Sequence, residues 1–209
     1  MTLSNRKILR TLLCLLAGTL YAVCLSACDA KEPLSENRDA EIESPVIAND
    51  LSNQKVTAIA EDTQGHIWIG TFRGLNKNNV HDYHQYFCTD DSLGLPDNQI
   101  THLLRDSKNR FWVGTVNGVC LYTDKDNFRI IPIEADNKNV RQILEDRNGR
   151  IFLNTGFQLY AYHPREEKIT CVLPEISPGN AFYAQCHIAP DNNLWVMTST
   201  GLRCYDPST

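Results

Sequence analysis

Short stretches of alternating apolar and polar residues recur along the chain after position 50, and turn signals separate them. The clearest unit joins an Asp-containing turn to an apolar–Trp–apolar–Gly–Thr stretch at 61–71, and the same unit returns at 105–115. Eroded copies lie at 145–155 and 191–198. Because no segment after residue 50 shows sustained helical periodicity, the pattern predicts an all-β fold.

Four aromatic residues give the period of the pattern. They are spaced 44, 40 and 43 residues apart: Trp68, Trp112, Phe152 and Trp195. A period near this length is typical of stacked four-stranded units. Each copy contains a strand, an Asp turn, a second strand, a Gly turn, a third strand and a less regular fourth strand, as a propeller blade does. We therefore predict a partial β-propeller of about four four-stranded blades over 51–209, after an N-terminal signal segment.

The repeated side chains have predicted structural roles. An Asp that opens a tight turn accepts backbone N–H groups of that turn, so Asp62, Asp106 and Asp146 are expected to do this rather than bind metal. In the fourth copy, Asp191 opens a turn that is expected to be one residue shorter. A Trp at the same place in each blade is expected to pack between adjacent blades rather than stack on a sugar.

The N-terminus has a different character from the repeats. Three basic residues precede a mostly apolar stretch, which ends in Leu-Ser-Ala-Cys at 25–28. This order is typical of a bacterial lipoprotein signal peptide. We predict a signal peptide over 1–27, lipidation at Cys28 and a flexible tether over 28–50, which places the protein in the periplasm or cell envelope, exported and membrane-anchored. Ordinary cleavage before Cys28 and an uncleaved anchor are the alternatives.

Charge and motifs narrow the function. The formal net charge of −5 provides no basic field for phosphates, so we predict no nucleic-acid binding. No nucleophile motif, phosphate-binding Gly loop or metal-ligand spacing occurs, and His81 and His84 lack a third ligand. We therefore predict no catalytic set, no cofactor and no metal.

The cysteines after residue 50 show no Cys-x-x-Cys spacing. Cys120 and Cys204 are expected to be buried thiols, with one disulfide as the alternative.

The repeat resembles that of the two-component regulator propeller family. Its consensus is a strand, Asp-x-x-Gly, an apolar–Trp–apolar–Gly–Thr stretch, then Gly-Leu and a strand ending near Tyr. The copies at 51–78 and 95–122 fit this order closely, whereas the third has Phe152 in place of Trp and Asn154 in place of Gly. The resemblance extends over 51–209.

Proteins with such repeats are typically the periplasmic sensors of hybrid two-component systems. The resemblance implies a propeller that binds a signal, often an oligosaccharide, and a homodimer in the full-length form. It also implies downstream propeller, transmembrane and histidine kinase domains, so we expect this chain to be the N-terminal part of a longer sensor. The alternative is a stand-alone envelope lipoprotein whose propeller-like scaffold mediates protein interaction.

Ligand contacts are expected in the turns that follow each Gly-Thr, at one end of the blades. By analogy with the family, the candidate positions are those that follow each Gly-Thr, which differ between copies while the scaffold repeats: Phe72 and Arg73, Val116 and Asn117, and Gly156 and Phe157. Among them we single out Arg73, Asn117 and Phe157 as ligand contacts. Together they offer the hydrogen-bond donors and the aromatic face that a sugar needs. The alternative is that they are solvent-exposed hairpin residues.

Overall fold

The computed structural model of the chain describes residues 46–89, 94–123, 125–173, 185–198 and 201–206, all within one compact unit, Ser44–Thr209. The predicted signal peptide, Cys28 and most of the predicted tether lie outside the described residues. Every regular element of the described ranges is a strand, which confirms the all-β prediction. The strands are β1 (Val46–Ala48), β2 (Val56–Glu61), β3 (Ile67–Thr71), β4 (Gly74–Asn79), β5 (Asp82–Tyr86), β6 (Ile100–Arg105), β7 (Phe111–Thr115), β8 (Gly118–Tyr122), β9 (Phe128–Ile131), β10 (Gln142–Glu145), β11 (Ile151–Asn154), β12 (Leu159–His163), β13 (Lys168–Leu173), β14 (Gln185–Ile188), β15 (Leu194–Thr198) and β16 (Gly201–Tyr205).

The strands form four antiparallel sheets in chain order. The first sheet has the order β1-β5-β4-β3-β2, the second β6-β7-β8-β9, the third β10-β11-β12-β13 and the fourth β14-β15-β16. The first strands of successive sheets are neighbours, since β2 contacts β6, β6 contacts β10 and β10 contacts β14. This is the arrangement of successive propeller blades around an axis. The partial propeller predicted from the repeat is therefore confirmed.

Each pair of neighbouring sheets shares an apolar core, which we call a seam. At seam 1–2, Trp68 packs against Phe111 and Tyr122 of the second sheet, with ring centroids 5.1 and 4.6 Å apart. At seam 2–3, Trp112 meets Tyr162 of the third sheet at 4.9 Å. Such contacts add about 0.5–1.5 kcal/mol per pair to the burial of the rings. The predicted packing of these two tryptophans between blades is confirmed.

The Gly of the Gly-Thr stretch is explained by the approach of the next sheet. A Cβ added at Gly70 would lie 2.5 Å from Ile100 Cγ2, which no ordinary packing allows. In the third copy this place is taken by Asn154, whose buried amide donates to Gln142 Oε1 at 2.8 Å and whose Oδ1 accepts Gly156 N at 2.7 Å. The departure from the consensus is thus compensated by hydrogen bonds.

Four details differ from the sequence-based expectations. Strand β1 lies within the range predicted as a flexible tether and pairs with β5. The fourth turn is not shorter than the others: Ala189 occupies the place of the turn Asp, and Asp191 follows two residues later. Trp195 is partly exposed rather than packed between sheets. Of the thiols, Cys120 is buried as expected, whereas Cys204 is exposed.

Candidate ligand-binding cleft

In the first two sheets, the carboxylate of the Asp turn binds its own turn and the Trp of the next strand. Asp106 Oδ1 accepts two backbone N–H groups of its own turn at 2.8 and 3.0 Å, and Oδ2 accepts Trp112 Nε1 at 2.8 Å and Arg110 Nε at 2.6 Å. In the first copy, Asp62 Oδ2 likewise accepts Trp68 Nε1 at 2.9 Å. The predicted turn role is confirmed, and the structure adds a hydrogen bond between the turn carboxylate and the repeated indole.

The environment of Asp62 keeps that carboxylate ionised. Burial raises its pKa. The indole of Trp68 and the N–H groups of His66 and Gln64 donate hydrogen bonds to the carboxylate, and together they lower the pKa by more than burial raises it. The pKa of Asp62 therefore lies below its ordinary value. At neutral pH this group is a fixed acceptor of hydrogen bonds, which suits a structural role.

A cleft opens at the inner strands, at the end of the sheets where the Gly turn joins the second strand to the third. Its volume is about 420 Å³, within the range of small-molecule sites. All four sheets contribute, and most of the lining is polar but uncharged. The lining residues are Thr57, Phe72, Gln99, Ile100, Thr101, Val116, Asn139, Arg141, Gln142 and Gln185.

Two residues that line the cleft each have a buried polar atom without a hydrogen-bond partner within the described part of the chain. The atoms are Thr57 Oγ1 and Asn139 Oδ1. A buried polar group without a partner costs about 1–3 kcal/mol. Both residues line the cleft, so a polar ligand that reached them would remove that cost.

A register shift in the first strand of two sheets explains how threonine comes to line the cleft. The pairing of β2 with β3 skips Thr57, and the pairing of β6 with β7 skips Thr101. Such β-bulges redirect the side chain of the extra residue. The two threonines therefore occupy equivalent places, although Thr101 Oγ1 donates to the Val140 carbonyl of the third sheet.

Hydrogen bonds connect the cleft lining to the seams. Besides the bond from Thr101 to Val140, Gln142 of the third sheet bonds to the fourth sheet, where its Oε1 accepts Cys186 N at 2.8 Å and its Nε2 donates to Cys186 O at 3.3 Å. A ligand that contacted Thr101 or Gln142 would therefore contact groups that hold neighbouring sheets together.

The residues proposed from the sequence lie in the turns at the rim. Arg73, Asn117 and Phe157 are exposed and none of them lines the cleft, whereas Phe72 and Val116, one position earlier in the first two turns, do. The backbone N–H groups of Arg73 and Asn117 donate to the Gly-Thr threonine hydroxyls at 3.1 and 3.2 Å, which fixes the turns. Their role in binding stays a prediction.

Sequence analysis missed the polar residues at the beginning of the inner strands. Gln99, Asn139 and Gln142 lie in or just before the first strand of the second and third sheets. The signal that could have found them is the recurrence of amide side chains next to apolar strand residues. Positions that only face water would show no preference for amides over other polar residues. The period of the repeat could not reveal them, because they differ between copies.

A second, smaller cavity of about 150 Å³ lies at seam 1–2, beside the Asp turns. Here Asp126 Oδ1 accepts the hydroxyls of Tyr86 at 2.7 Å and Tyr122 at 2.6 Å. Burial raises the pKa of Asp126. Hydrogen bonds from the two tyrosine hydroxyls and the charge of Lys77 together outweigh burial, so the pKa lies below its ordinary value. Since Tyr86 belongs to the first sheet and the other two residues to the second, this cluster stabilises the seam.

Other kinds of site receive no support from the described residues. These ranges contain no group of three or more His, Cys, Asp or Glu side chains placed to hold a metal ion. They also contain no helix of the length and apolarity that crossing a membrane requires. Burial raises the pKa of the Cys120 and Cys186 thiols, which are packed as small apolar groups.

The four stacked sheets and the cleft at their inner strands define a β-propeller-type protein. Two of its repeats match a known family. Residues 50–73 and 94–117 match the family model "Two component regulator propeller". These two segments are therefore two-component regulator propeller repeats. No curated protein sequence matches the chain.

Solved structures of similar fold include extracellular domains from B. thetaiotaomicron that are described as parts of hybrid two component systems. One is 24% identical over 72% of this chain and 20% of its own, with a TM-score of 0.61. Another is 21% identical over 76% of this chain and 22% of its own, with a TM-score of 0.62. The chain thus spans about a fifth of the length of these two proteins.

Propellers with other functions share the fold as well. Virginiamycin B lyase from Staphylococcus aureus is 19% identical over 78% of this chain and 60% of its own, with a TM-score of 0.55. The fold alone therefore does not separate a binding protein from an enzyme, and the function has to be argued from the cleft.

Proposed function

We propose that the chain is an extracytoplasmic ligand-sensing propeller segment of a hybrid two-component sensor, and that an oligosaccharide in the cleft is its signal. The observation that carries the proposal is the cleft itself, where Thr57 Oγ1 and Asn139 Oδ1 are buried without a hydrogen-bond partner among the described residues. The family match of the first two repeats and the likeness to sensor domains support the sensory role.

The chemistry of the lining favours a sugar over an apolar or strongly charged ligand. Hydroxyl and amide groups both donate and accept hydrogen bonds, which matches the hydroxyls of a sugar ring. Phe72 adds an aromatic ring, although Lys55 Nζ lies 3.6 Å from the centre of that ring. Arg141 is the charged lining residue among those described, so a sugar that carries one carboxylate would also be accommodated.

The rim residues extend this proposal to a longer ligand. Arg73, Asn117 and Phe157 are exposed in three successive turns beside the cleft, as contacts for the outer units of an oligosaccharide would be. A chain of sugars, rather than a single ring, would be needed to touch both the rim and the cleft.

Signal transmission requires parts beyond the described residues. We place the cleft outside the cytoplasm, with membrane attachment through a lipid on Cys28, and with transmembrane and kinase domains in the longer protein. A mass measurement on the N-terminal peptide of the membrane-bound protein tests the lipid, since Cys28→Ala should abolish the added mass. An unmodified Cys28 peptide would contradict this part alone.

Calorimetric titration of the purified chain with a panel of defined oligosaccharides tests the ligand. For a sugar that binds, Thr57→Val and Asn139→Ala should each weaken binding about tenfold, the equivalent of one hydrogen bond of about 1.4 kcal/mol. Thr63→Val, in the exposed first Asp turn, is the matched control and should leave binding unchanged. Binding that is insensitive to both cleft variants would refute the site, and failure of every sugar to bind would refute the ligand class.

A further inference from the structure

The smaller cavity, at seam 1–2, is lined by hydrogen-bond donors of both sheets. They include Thr63 and Lys77 of the first sheet and Arg105 and Asn109 of the second. Lys77 Nζ donates to the Tyr122 hydroxyl at 3.4 Å, but an ammonium group has three protons to donate. Neither Lys77 nor Arg105 forms an ion pair with a residue that the structure describes. The lining therefore includes two cations whose charge is not matched by a bonded carboxylate.

One of these cations lies at the first Asp turn. Arg105 Nη1 donates to the Asp62 carbonyl at 3.2 Å, and the N–H of the same peptide group belongs to Thr63. That N–H has no acceptor among the described residues. A guanidinium and a backbone donor thus lie close together at the edge of the cavity.

The equivalent N–H groups of the next two Asp turns each have an acceptor, which the following sheet supplies. At seam 2–3, Ser107 N donates to the two carboxylate oxygens of Glu145 at 3.0 and 2.8 Å. At seam 3–4, Arg147 N donates to Asn192 Oδ1 at 2.9 Å. Glu145 ends the first strand of its sheet, as Arg105 does in the second sheet. Seam 1–2 therefore has a cation where seam 2–3 has a carboxylate.

Two carboxylates of the first two sheets also line the cavity, but other donors of the chain bind them. Asp62 Oδ1 accepts Gln64 N at 2.8 Å and His66 N at 3.0 Å. Asp126 Oδ1 accepts two tyrosine hydroxyls. Neither carboxylate accepts the Thr63 N–H within the described part of the chain. An acceptor for that group has to come from elsewhere.

We propose that the smaller cavity binds a small free carboxylate, which accepts the Thr63 N–H and pairs with Arg105 and Lys77. The ligand would do for seam 1–2 what the Glu145 side chain does for seam 2–3. An ionised carboxylate has two acceptor oxygens and no donor, and its hydrogen bonds to cations are among the stronger ones. The site does not depend on whether the larger cleft binds a sugar.

The size of the cavity limits the ligand. A water molecule takes up about 30 Å³ of liquid volume, so a cavity of about 150 Å³ has room for an anion of a few heavy atoms. Acetate is therefore a suitable probe. Because the ligand would contact both sheets, its binding would also stabilise the seam between them.

The first test follows the backbone amide resonances of the isotope-labelled chain by NMR while sodium acetate replaces sodium chloride at constant ionic strength. The Thr63 amide proton should move downfield along a saturating curve, because a hydrogen bond to a carboxylate deshields it. Ser107 is the matched internal control: its N–H is already bonded to Glu145, so its resonance should not follow that curve. A Thr63 resonance that stays still, or that moves only as Ser107 does, would overturn the proposal.

Two substitutions of Arg105 test the site from opposite directions. Arg105 is exposed, so both variants should fold, which circular dichroism checks. Arg105→Met removes the guanidinium and should weaken acetate binding at least tenfold. Arg105→Glu gives seam 1–2 the carboxylate that seam 2–3 has, so the Thr63 resonance should lie downfield before acetate is added and should no longer respond to it.

Arg203→Met is the control variant, since it removes an exposed positive charge in the fourth sheet. It should bind acetate as the unmodified chain does. Equal acetate affinity in the Arg105→Glu chain and the unmodified chain would overturn the proposal, because the site would then not involve Arg105. A Thr63 resonance that responds to sodium sulfate but not to acetate would overturn the assignment of the ligand as a carboxylate.

Discussion

The second and fourth sheets contain the same repeat position in two different environments. Trp112 is fully buried and Trp195 is 37% exposed, although both lie in the second strand of their sheet and pair with the third in the same register. The difference lies outside the two sheets: Trp112 has a third sheet to pack on, and the described residues offer Trp195 no such neighbour. Burial in a repeat structure is therefore a property of the interface between units, as expected when each unit contacts only its neighbours.

The polar partner of the Trp differs between the two sheets as well. Trp112 Nε1 donates to the buried carboxylate of Asp106, but the equivalent position of the fourth turn is Ala189. The turn itself survives, since Ala189 N donates to Asn193 O and Asn192 keeps the positive φ that Asn109 has in the second turn. The backbone of the turn and its carboxylate thus make separable contributions.

The largest expected effect contrasts the two tryptophans directly. Trp112→Ala should lower the free energy of unfolding by roughly 3–5 kcal/mol, because it leaves a cavity in seam 2–3. Trp195→Ala should lower it by no more than about 1 kcal/mol, since the side chain is already partly in water. Urea unfolding of both variants under monomeric conditions measures the difference. Equal losses would mean that Trp195 has a covering neighbour.

The first two sheets could be predicted almost completely from the sequence, whereas the fourth could not. In the second copy, Asp106 is required by the turn, Trp112 by packing at the seam and Gly114 by the close approach of the next sheet. Each of these needs a particular residue type, which can be recognised in the sequence. In the fourth copy the Asp is displaced to position 191, so the motif suggested a shorter turn, although Ala189 satisfies the same backbone geometry. Backbone hydrogen bonds do not depend on the side chain and leave no trace in the sequence.

The next effect isolates the turn carboxylate. Asp106→Ala should destabilise the chain by roughly 2–4 kcal/mol, because it leaves the buried indole N–H of Trp112 and the guanidinium of Arg110 without their acceptor. Denaturant unfolding measures the loss. Asp191→Ala is the comparison. Within the described residues, the hydrogen bonds of this exposed carboxylate lie in its own turn, so the loss there should be under about 1 kcal/mol. Similar losses for both would contradict the assigned role of the indole bond.

The cleft was less predictable than the sheets for a related reason. The turns that carry Arg73, Asn117 and Phe157 were found by analogy with the family and because their residues differ between copies while the scaffold repeats. The cleft floor was missed because Thr57 and Thr101 face it only through a β-bulge, and a bulge depends on strand pairing that a single sequence does not display. Sequence reasoning thus pointed to the end of the sheets where the cleft lies, but it singled out residues in the turns outside the cleft lining.

A smaller effect separates these two threonines. Thr101→Val should cost about 1 kcal/mol, because it removes the hydroxyl that donates to the Val140 carbonyl across seam 2–3. Thr57→Val should be neutral or slightly stabilising without ligand, since Thr57 Oγ1 is buried and has no hydrogen bond to a residue that the structure describes. Thermal unfolding of the two isosteric variants measures the contrast. A loss of stability in Thr57→Val as large as in Thr101→Val would show that Thr57 has an intramolecular partner and would weaken the case for the cleft.

The smallest effect would restore the missing carboxylate of the fourth turn. Ala189→Asp should raise the free energy of unfolding by about 0.5 kcal/mol, because the new side chain could accept the indole N–H of Trp195 as Asp62 accepts that of Trp68. The gain stays small because Trp195 is partly exposed and the nearby Asp191 carboxylate repels the added charge. The same substitution in a Trp195→Phe background removes the indole donor and should give no gain. If Ala189→Asp stabilised the Trp195→Phe chain equally well, the new carboxylate would be acting on the turn backbone alone. The Asp–Trp hydrogen bond of the first two copies would then be a consequence of the burial of both residues rather than a source of stability.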